Sequence, residues 1–266
     1  MKYPELSVTQ YKNKITSTQP PDSIDMCVDK THFKKYHKDV KYSYNSRGFR
    51  DNEWPSLIEE CIWCVGDSFT VGLGQPFEEI WAKLLESHTD KKTVNISMSG
   101  ASNDWISRKG IYIIKNIKPK NLVVQWTFLN RKENNDINLS DEERIIHYDE
   151  YDFKNLSSTE YFMKNIQNFI KNFKKLNNFN IQTNVVNTFV PNFNIHDVHI
   201  KKFGNTNIVE IISNKIFWEY VKNEINTDEY NIVFDNQQLD YSRDGFHYDI
   251  RTSENYCKNI SNFLID

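Results

Sequence analysis

From about residue 59 onward, short apolar runs alternate with longer amphipathic ones, the pattern that successive βα units leave in a chain. The first run, Cys61 to Val65, reads as a strand and ends in Gly66-Asp67-Ser68. A helix is expected near Phe77 to Ser87, with Pro76 at its first turn, where a missing N–H costs nothing. A strand at Thr93 to Ser97 and a helix from about Asp104 to Asn116 follow. Leu122 to Thr127 is then a largely apolar run suited to a strand buried on both faces. These three strands form the expected centre of a parallel sheet.

Between Asn130 and Asp152 the chain turns polar and acidic, with Glu133, Asp136, Asp141, Glu142, Glu143, Asp149 and Glu150 in a stretch without period. It reads as a surface loop or lid. From Ser158 to Leu176, Tyr161, Phe162, Ile166, Phe169, Ile170 and Phe173 recur at helical spacing and mark a core-facing stripe. A strand at Ile181 to Phe189, a helix near Val209 to Glu224, a short strand at Asn231 to Phe234 and a closing helix from about Ser253 to Leu264 complete the pattern. Residues 1–58 hold no sustained period and carry Pro20, Pro21 and Pro55. They read as an irregular arm packed on a main domain, 59–266, that carries the polar insertion around 130–155. The fold class is α/β.

Composition narrows the function classes. A chain of 266 residues suits one such domain, and with 38% hydrophobic and 14% aromatic residues its core draws on Phe, Tyr and Trp. The net charge of −3, with both signs interspersed, gives no nucleic-acid footprint and favours small or neutral partners. The four cysteines, Cys27, Cys61, Cys64 and Cys257, are too sparse for a disulfide framework. Cys61 and Cys64 form a C-x-x-C, but on an extended strand their thiols point to opposite faces, so a redox or zinc role is not expected. The polar start, YPELSVTQYKNK, has no apolar signal region and no run is long enough to cross a bilayer, so a soluble, cytoplasmic chain without membrane insertion is expected.

The chemistry concentrates at two places. Ser68 follows a buried strand, at the sheet edge where open parallel sheets meet ligands, and its own N–H could face a developing negative charge. The bland alternative is an Asp-Ser turn or helix cap at Asp67. A serine nucleophile needs a base held by a third group. Asp244-Gly245-Phe246-His247 can provide both, with Asp244 on the imidazole Nδ1 and Nε2 of His247 left to take the serine proton. His196, Asp197 and His199 share a loop where a metal or a competing base is conceivable, although surface histidines are the more ordinary reading. His32, His37, His88 and His147 have no companion at ligand spacing. Arg50 could cross back to the catalytic loops, with a structural salt bridge the favoured reading.

GDSFTVG after the first strand, SGAS after the second and DGFH before the last helix resemble, in order, the SGNH (GDSL) hydrolase family. NSRGFRD at Asn45 to Asp51 is similar to a segment found upstream of that family's catalytic domain. The resemblance implies a three-layer αβα sandwich with a flavodoxin-like parallel sheet. It also implies hydrolysis of acyl esters through an acyl-enzyme, without cofactor or metal, by Ser68, His247 and Asp244. Asp67 is then a supporting residue that shapes the turn. The implied oxyanion hole takes the Ser68 N–H, the Gly100 N–H and an asparagine amide. The family's Gly-x-Asn-Asp is replaced here by Gln125-Trp126-Thr127-Phe128-Leu129-Asn130, which leaves Asn130 after a one-residue shift, or Thr127 or Gln125, as the third donor. The implied substrates are small-molecule or glycan esters, O-acetyl sugars among them. The alternatives are a carbohydrate O-acyltransferase on the same fold, or a binding or structural module that has lost activity. Oligomeric state is not legible.

Overall fold

A computed structural model of the chain describes residues 2–9, 11–20, 22–147, 150–179, 182–191, 216–233 and 238–265. Its centre is a five-stranded parallel sheet: β1 Ile62–Gly66, β2 Thr93–Ser97, β3 Asn121–Trp126, β4 Asn184–Phe189 and β5 Asn231–Ile232. The order across the sheet is β2-β1-β3-β4-β5, the flavodoxin-like arrangement that puts a ligand crevice beside the C-terminal end of the first strand. All residues of β1, β2 and β3 are buried, as strands covered on both faces must be. Helices α2 Trp81–Thr89 and α6 Ile250–Ser261 pack together on one face, and α3 Asn103–Asn116 and α4 Ser158–Asn177 on the other. Trp81 meets Tyr256 edge-on with ring centroids 5.0 Å apart in the first pair. In the second, the Ser107 hydroxyl donates to the Asn172 carbonyl at 3.1 Å. The three-layer α/β sandwich expected from the sequence is therefore the observed one.

Two elements differ from the expectation. The helix foreseen from Phe77 to Ser87 is a 3-10 turn, Phe77–Glu79, followed by a break at Ile80 and then α2. Ile80 and Trp81 are both fully buried, and the extended backbone at Ile80 lets its side chain pack on Gly72 while Trp81 enters the core. The polar insertion is not structureless: Lys132–Glu133 pairs antiparallel with Ile145–Ile146, and a helix runs over Glu150–Asn155. Two of its acids are not solvent-facing charges either. Arg108 on α3 reaches Glu133 and Asp141 at 2.7 Å each, and Lys109 reaches Asp141 at 2.6 Å, which ties the insertion to the domain. The helix foreseen at Val209 to Glu224 is observed as α5, Ile216–Glu224. Its first part, and the loop with His196, Asp197 and His199, lie outside the described residues.

The arm is held by contacts that no local pattern encodes. Leu6, Val8 and Phe49 are buried in the main core, and Ile15–Thr16 pairs with Tyr42–Ser43. Arg50 is fully buried and makes no carboxylate pair among the described residues. Its guanidinium donates to the carbonyls of Val71, Gly72, Gln75 and Lys41, and stacks over the Tyr42 ring at 4.4 Å. The favoured salt-bridge reading thus gives way to the alternative: the side chain clamps the loop that follows Ser68. Arg50→Ala strands several buried carbonyls at once and is expected to lower stability by about 3 kcal/mol or more, read as a fall in the urea midpoint. Lysine cannot fork to four acceptors, so Arg50→Lys is expected to recover only part of it.

Candidate active site

The strand-to-helix junction after β1 aims Ser68 out of the sheet. Asp67 caps a four-residue helix, α1 Ser68–Val71, by accepting from the Phe69 N–H at 3.0 Å, and Gly72, at φ +72°, ends it. Gly66 has to be glycine because a Cβ there would lie 1.9 Å from the Thr70 hydroxyl. The Ser68 N–H falls at the helix start, outside the intrahelical ladder.

The second half of the site is a tight loop before α6. The Ser242 N–H donates to the His247 carbonyl at 2.9 Å, and Gly245, at φ +74°, allows the reversal between them. The turn gathers three donors on Asp244 Oδ1: the Phe246 N–H at 2.9 Å, the His247 N–H at 3.0 Å and the Ser242 hydroxyl at 2.8 Å. Oδ2 is left for the imidazole, 2.5 Å from His247 Nδ1, and Nε2 of the same ring lies 2.8 Å from Ser68 Oγ. Burial would raise the Asp244 carboxyl, but His247 and the backbone donors outweigh it and hold it down at about 2. With an ionised carboxylate on Nδ1, the proton-bearing nitrogen is Nδ1 and the accepting one is Nε2. Phe69 packs on the imidazole with centroids 4.5 Å apart, and Tyr248 on Phe69 at 4.9 Å, so the ring sits in a dry wall that fixes its orientation.

The arm braces this loop from outside. Asp22 accepts from Arg243 at 2.6 Å, the Val28 N–H donates to the Asp244 carbonyl at 2.9 Å, and His32 Nε2 lies 2.8 Å from the Ser242 carbonyl. Ser68 and His247 open onto a cavity of about 420 Å³ whose wall also includes Gly100, Arg131 and His147. Tyr11, Pro20 and Met26 of the arm close part of its mouth.

The sequence-derived site residues divide into two groups. Ser68, His247 and Asp244 form one hydrogen-bonded line across 179 positions of chain, and Gly100, at φ +79°, stands in the same cavity. Asp67 shapes the turn and also carries a buried ion pair with Arg131 at 2.7 Å. Asn130 is not brought to the cavity: its amide donates to the His147 carbonyl at 2.5 Å, because the insertion folds back over it. Gln125 is spent in the core, accepting from Thr70 at 2.7 Å and donating to Tyr256 at 2.9 Å. Thr127 gives its hydroxyl to Asp67 at 2.5 Å.

Arg131 and His147 were not singled out by sequence reasoning. The one available signal was a cation at the fifth position after the strongest strand. Burial first, and then the Arg131 guanidinium, hold the His147 imidazole below its ordinary value, toward the neutral form. His37 and His88 are exposed, away from the cavity. All four cysteines are free, and burial pushes Cys61 up to about 11 and Cys64 well above the ordinary thiol value, so neither thiol of the C-x-x-C is reactive. Among the described residues no cluster of His, Cys, Asp and Glu could hold a metal ion, and no helix is long and apolar enough to cross a membrane.

No protein-family model and no curated protein matches the chain. Among solved structures it is similar to a carbohydrate esterase family 2 enzyme with a carbohydrate binding domain from Corynascus thermopiles (Myceliophthora fergusii), at 11% identity over 84% of this chain and 69% of that one, TM-score 0.46. It is also similar to the psychrotrophic esterase EstA from Pseudoalteromonas sp., at 12% identity over 77% and 96% of the two chains, TM-score 0.42. A member of the lipolytic protein G-D-S-L family from Veillonella parvula DSM 2008 matches at 12% identity over 76% and 96%, TM-score 0.38.

Proposed function

We propose that the chain is an ester hydrolase of the SGNH kind that works through a serine acyl-enzyme. The observation that carries this reading is the line of contacts from Asp244 Oδ2 through His247 to Ser68 Oγ, at 2.5 and 2.8 Å, within hydrogen-bond reach at both steps. Ser68 Oγ attacks the ester carbonyl carbon while its proton passes to His247 Nε2. The imidazolium, stabilised by Asp244, then gives that proton to the departing alcohol oxygen as the C–O bond breaks. Water repeats the sequence on the acyl-enzyme, its proton going to Nε2 and then back to Ser68 Oγ, and a carboxylic acid leaves. The N–H groups of Ser68 and Gly100 receive the carbonyl oxygen.

The substrates proposed are short-chain acyl esters, O-acetyl groups on carbohydrate among them, since a cavity of about 420 Å³ partly closed by Tyr11, Pro20 and Met26 favours a small acyl group over a long chain. A module without catalytic duty has no need of a carboxylate, an imidazole and a hydroxyl aligned in a buried row. The test is turnover of p-nitrophenyl acetate together with labelling by a fluorophosphonate. Labelling that maps to Ser68 supports the reading, and a chain that neither turns over nor labels contradicts it. Product analysis with candidate glycans present separates hydrolysis from acyl transfer, because a transferase moves the acyl group onto the sugar.

Gly100 offers a local check. Alanine there would force a side chain into left-handed backbone and bring its Cβ to 3.1 Å from His147 Cε1. Gly100→Ala is expected to reduce kcat/KM by about tenfold or more through a displaced N–H, with a fall of a few degrees in melting temperature from the strained backbone.

A further inference from the structure

We propose that Arg131 hydrogen-bonds the substrate's carbonyl oxygen as negative charge builds on it, taking the place of the Asn130 amide, which is turned to the His147 carbonyl; this rests on the ester-hydrolase reading above. Three adjacent strands deliver the donors. Ser68 follows β1, Gly100 follows β2 on one side of it, and Arg131 follows β3 on the other, and all three stand in the wall of one cavity.

The side chain is held as a preformed donor. Nη1 donates to Asp67 Oδ2 at 2.7 Å and to the Thr127 hydroxyl at 2.9 Å, and the guanidinium lies over the Phe128 ring at 4.9 Å. Its side chain is only 9% exposed, so the fork is locked before any substrate arrives. Nε is enclosed without a hydrogen-bond partner among the described residues, as Arg50 Nε is, whereas Nη2 has no described partner and is not enclosed, which leaves it as the nitrogen a ligand in the cavity can reach. An acceptor that forms only during reaction would take up the Nη2 N–H at the moment it helps most. The other candidates are committed elsewhere: Asn130 to the His147 carbonyl, Gln125 to the core and Thr127 to Asp67.

Charge favours a transient anion over a permanent one. Arg131 is paired with Asp67, Asp244 with His247, and His147 is held toward its neutral form, so the resting cavity carries no surplus positive charge to retain an acidic substrate. What Arg131 offers is direction: an N–H fixed in a dry site.

Wild type is the reference, and Asp67→Asn is combined with Arg131→Met because asparagine still caps the Phe69 N–H and removes the buried anion that Arg131 loss would strand. Relative to wild type, Asp67→Asn/Arg131→Met is expected to lose about 10²–10³-fold in kcat on p-nitrophenyl acetate with KM kept within about threefold. Phosphonylation of Ser68 by the fluorophosphonate is expected to slow in parallel, since the phosphonyl oxygen takes the same place. Arg131→Lys keeps the pairing with Asp67 and serves if the double variant does not fold; it should melt near wild type and lose about tenfold or more in kcat. Unchanged kcat in a folded variant overturns the proposal. So does a rise in KM alone, or a selective loss on p-nitrophenyl hemisuccinate, which would assign Arg131 to holding an anionic substrate. A wild type that labels at Ser68 beside an unimpaired Arg131 variant overturns the donor role only, whereas a wild type without labelling or turnover overturns the hydrolase reading and this one with it.

Discussion

Ser68→Ala is expected to lower kcat for p-nitrophenyl acetate by about 10⁴–10⁶-fold while leaving the melting temperature within a few degrees of wild type. The size follows from the mechanism. Without Oγ no acyl-enzyme forms, and only the cavity's donors are left to assist direct attack by water. The small stability effect follows from the surroundings: Oγ makes its described contact with His247 Nε2, on the side that opens to the cavity, so its loss leaves a group that water can reach. Fluorophosphonate labelling should vanish in the same variant. His247→Ala is expected to fall nearly as far, and combining the two should add little, because the residues act as one unit.

Asp244→Asn is expected to lose about 10⁴-fold in kcat with the loop intact. Asparagine Oδ1 can still accept from Ser242, Phe246 and His247, but its amide would then face Nδ1. Two donors cannot face each other, so the imidazole proton moves to Nε2 and the ring can no longer take the serine proton. The same substitution carries a pH signature. The Asp244 carboxyl is near 2 in the folded protein against about 3.8 in an open chain, so the folded state binds fewer protons between those values and stability rises with pH there. The gain, about 2 kcal/mol, is fully present above pH 4–5 and is lost as pH falls through 4 toward 2. The difference in denaturation midpoint between wild type and Asp244→Asn should therefore be widest near neutrality and close in acid. A gap that persists unchanged at pH 2–3 would show that the carboxylate's charge is not what stabilises the loop.

Much of the site was legible because its parts are local motifs. Gly-Asp-Ser is a strand end, a cap and a hydroxyl within reach of an imidazole inside three residues, and Asp-x-x-His is a turn that delivers its own carboxylate to its own imidazole. The third donor was not legible, because the side chain that reaches the cavity depends on how residues 127–131 turn after β3. Asn130 is drawn off by a carbonyl of the insertion and Arg131 is drawn in by Asp67, 64 positions earlier. The arm was read as irregular for a related reason. Arg50 holding four carbonyls, and Asp22 gripping Arg243, are bonds between distant polar groups, and such bonds leave no period in a sequence.

By itself the sequence determined the strands and most of the helices of the central βα pattern, and that β3 would be covered on both faces, since periodicity and burial are properties of each segment alone. It also singled out Ser68, His247 and Asp244 as a candidate hydroxyl, imidazole and carboxylate. Only the tertiary structure decided that these groups meet, that the arm closes part of the cavity, and that a guanidinium stands where an amide was expected. Backbone preference acts over a few residues. The distance between Ser68 and His247 is set instead by how helices and strands pack against one another, a sum over contacts that no short stretch of chain contains.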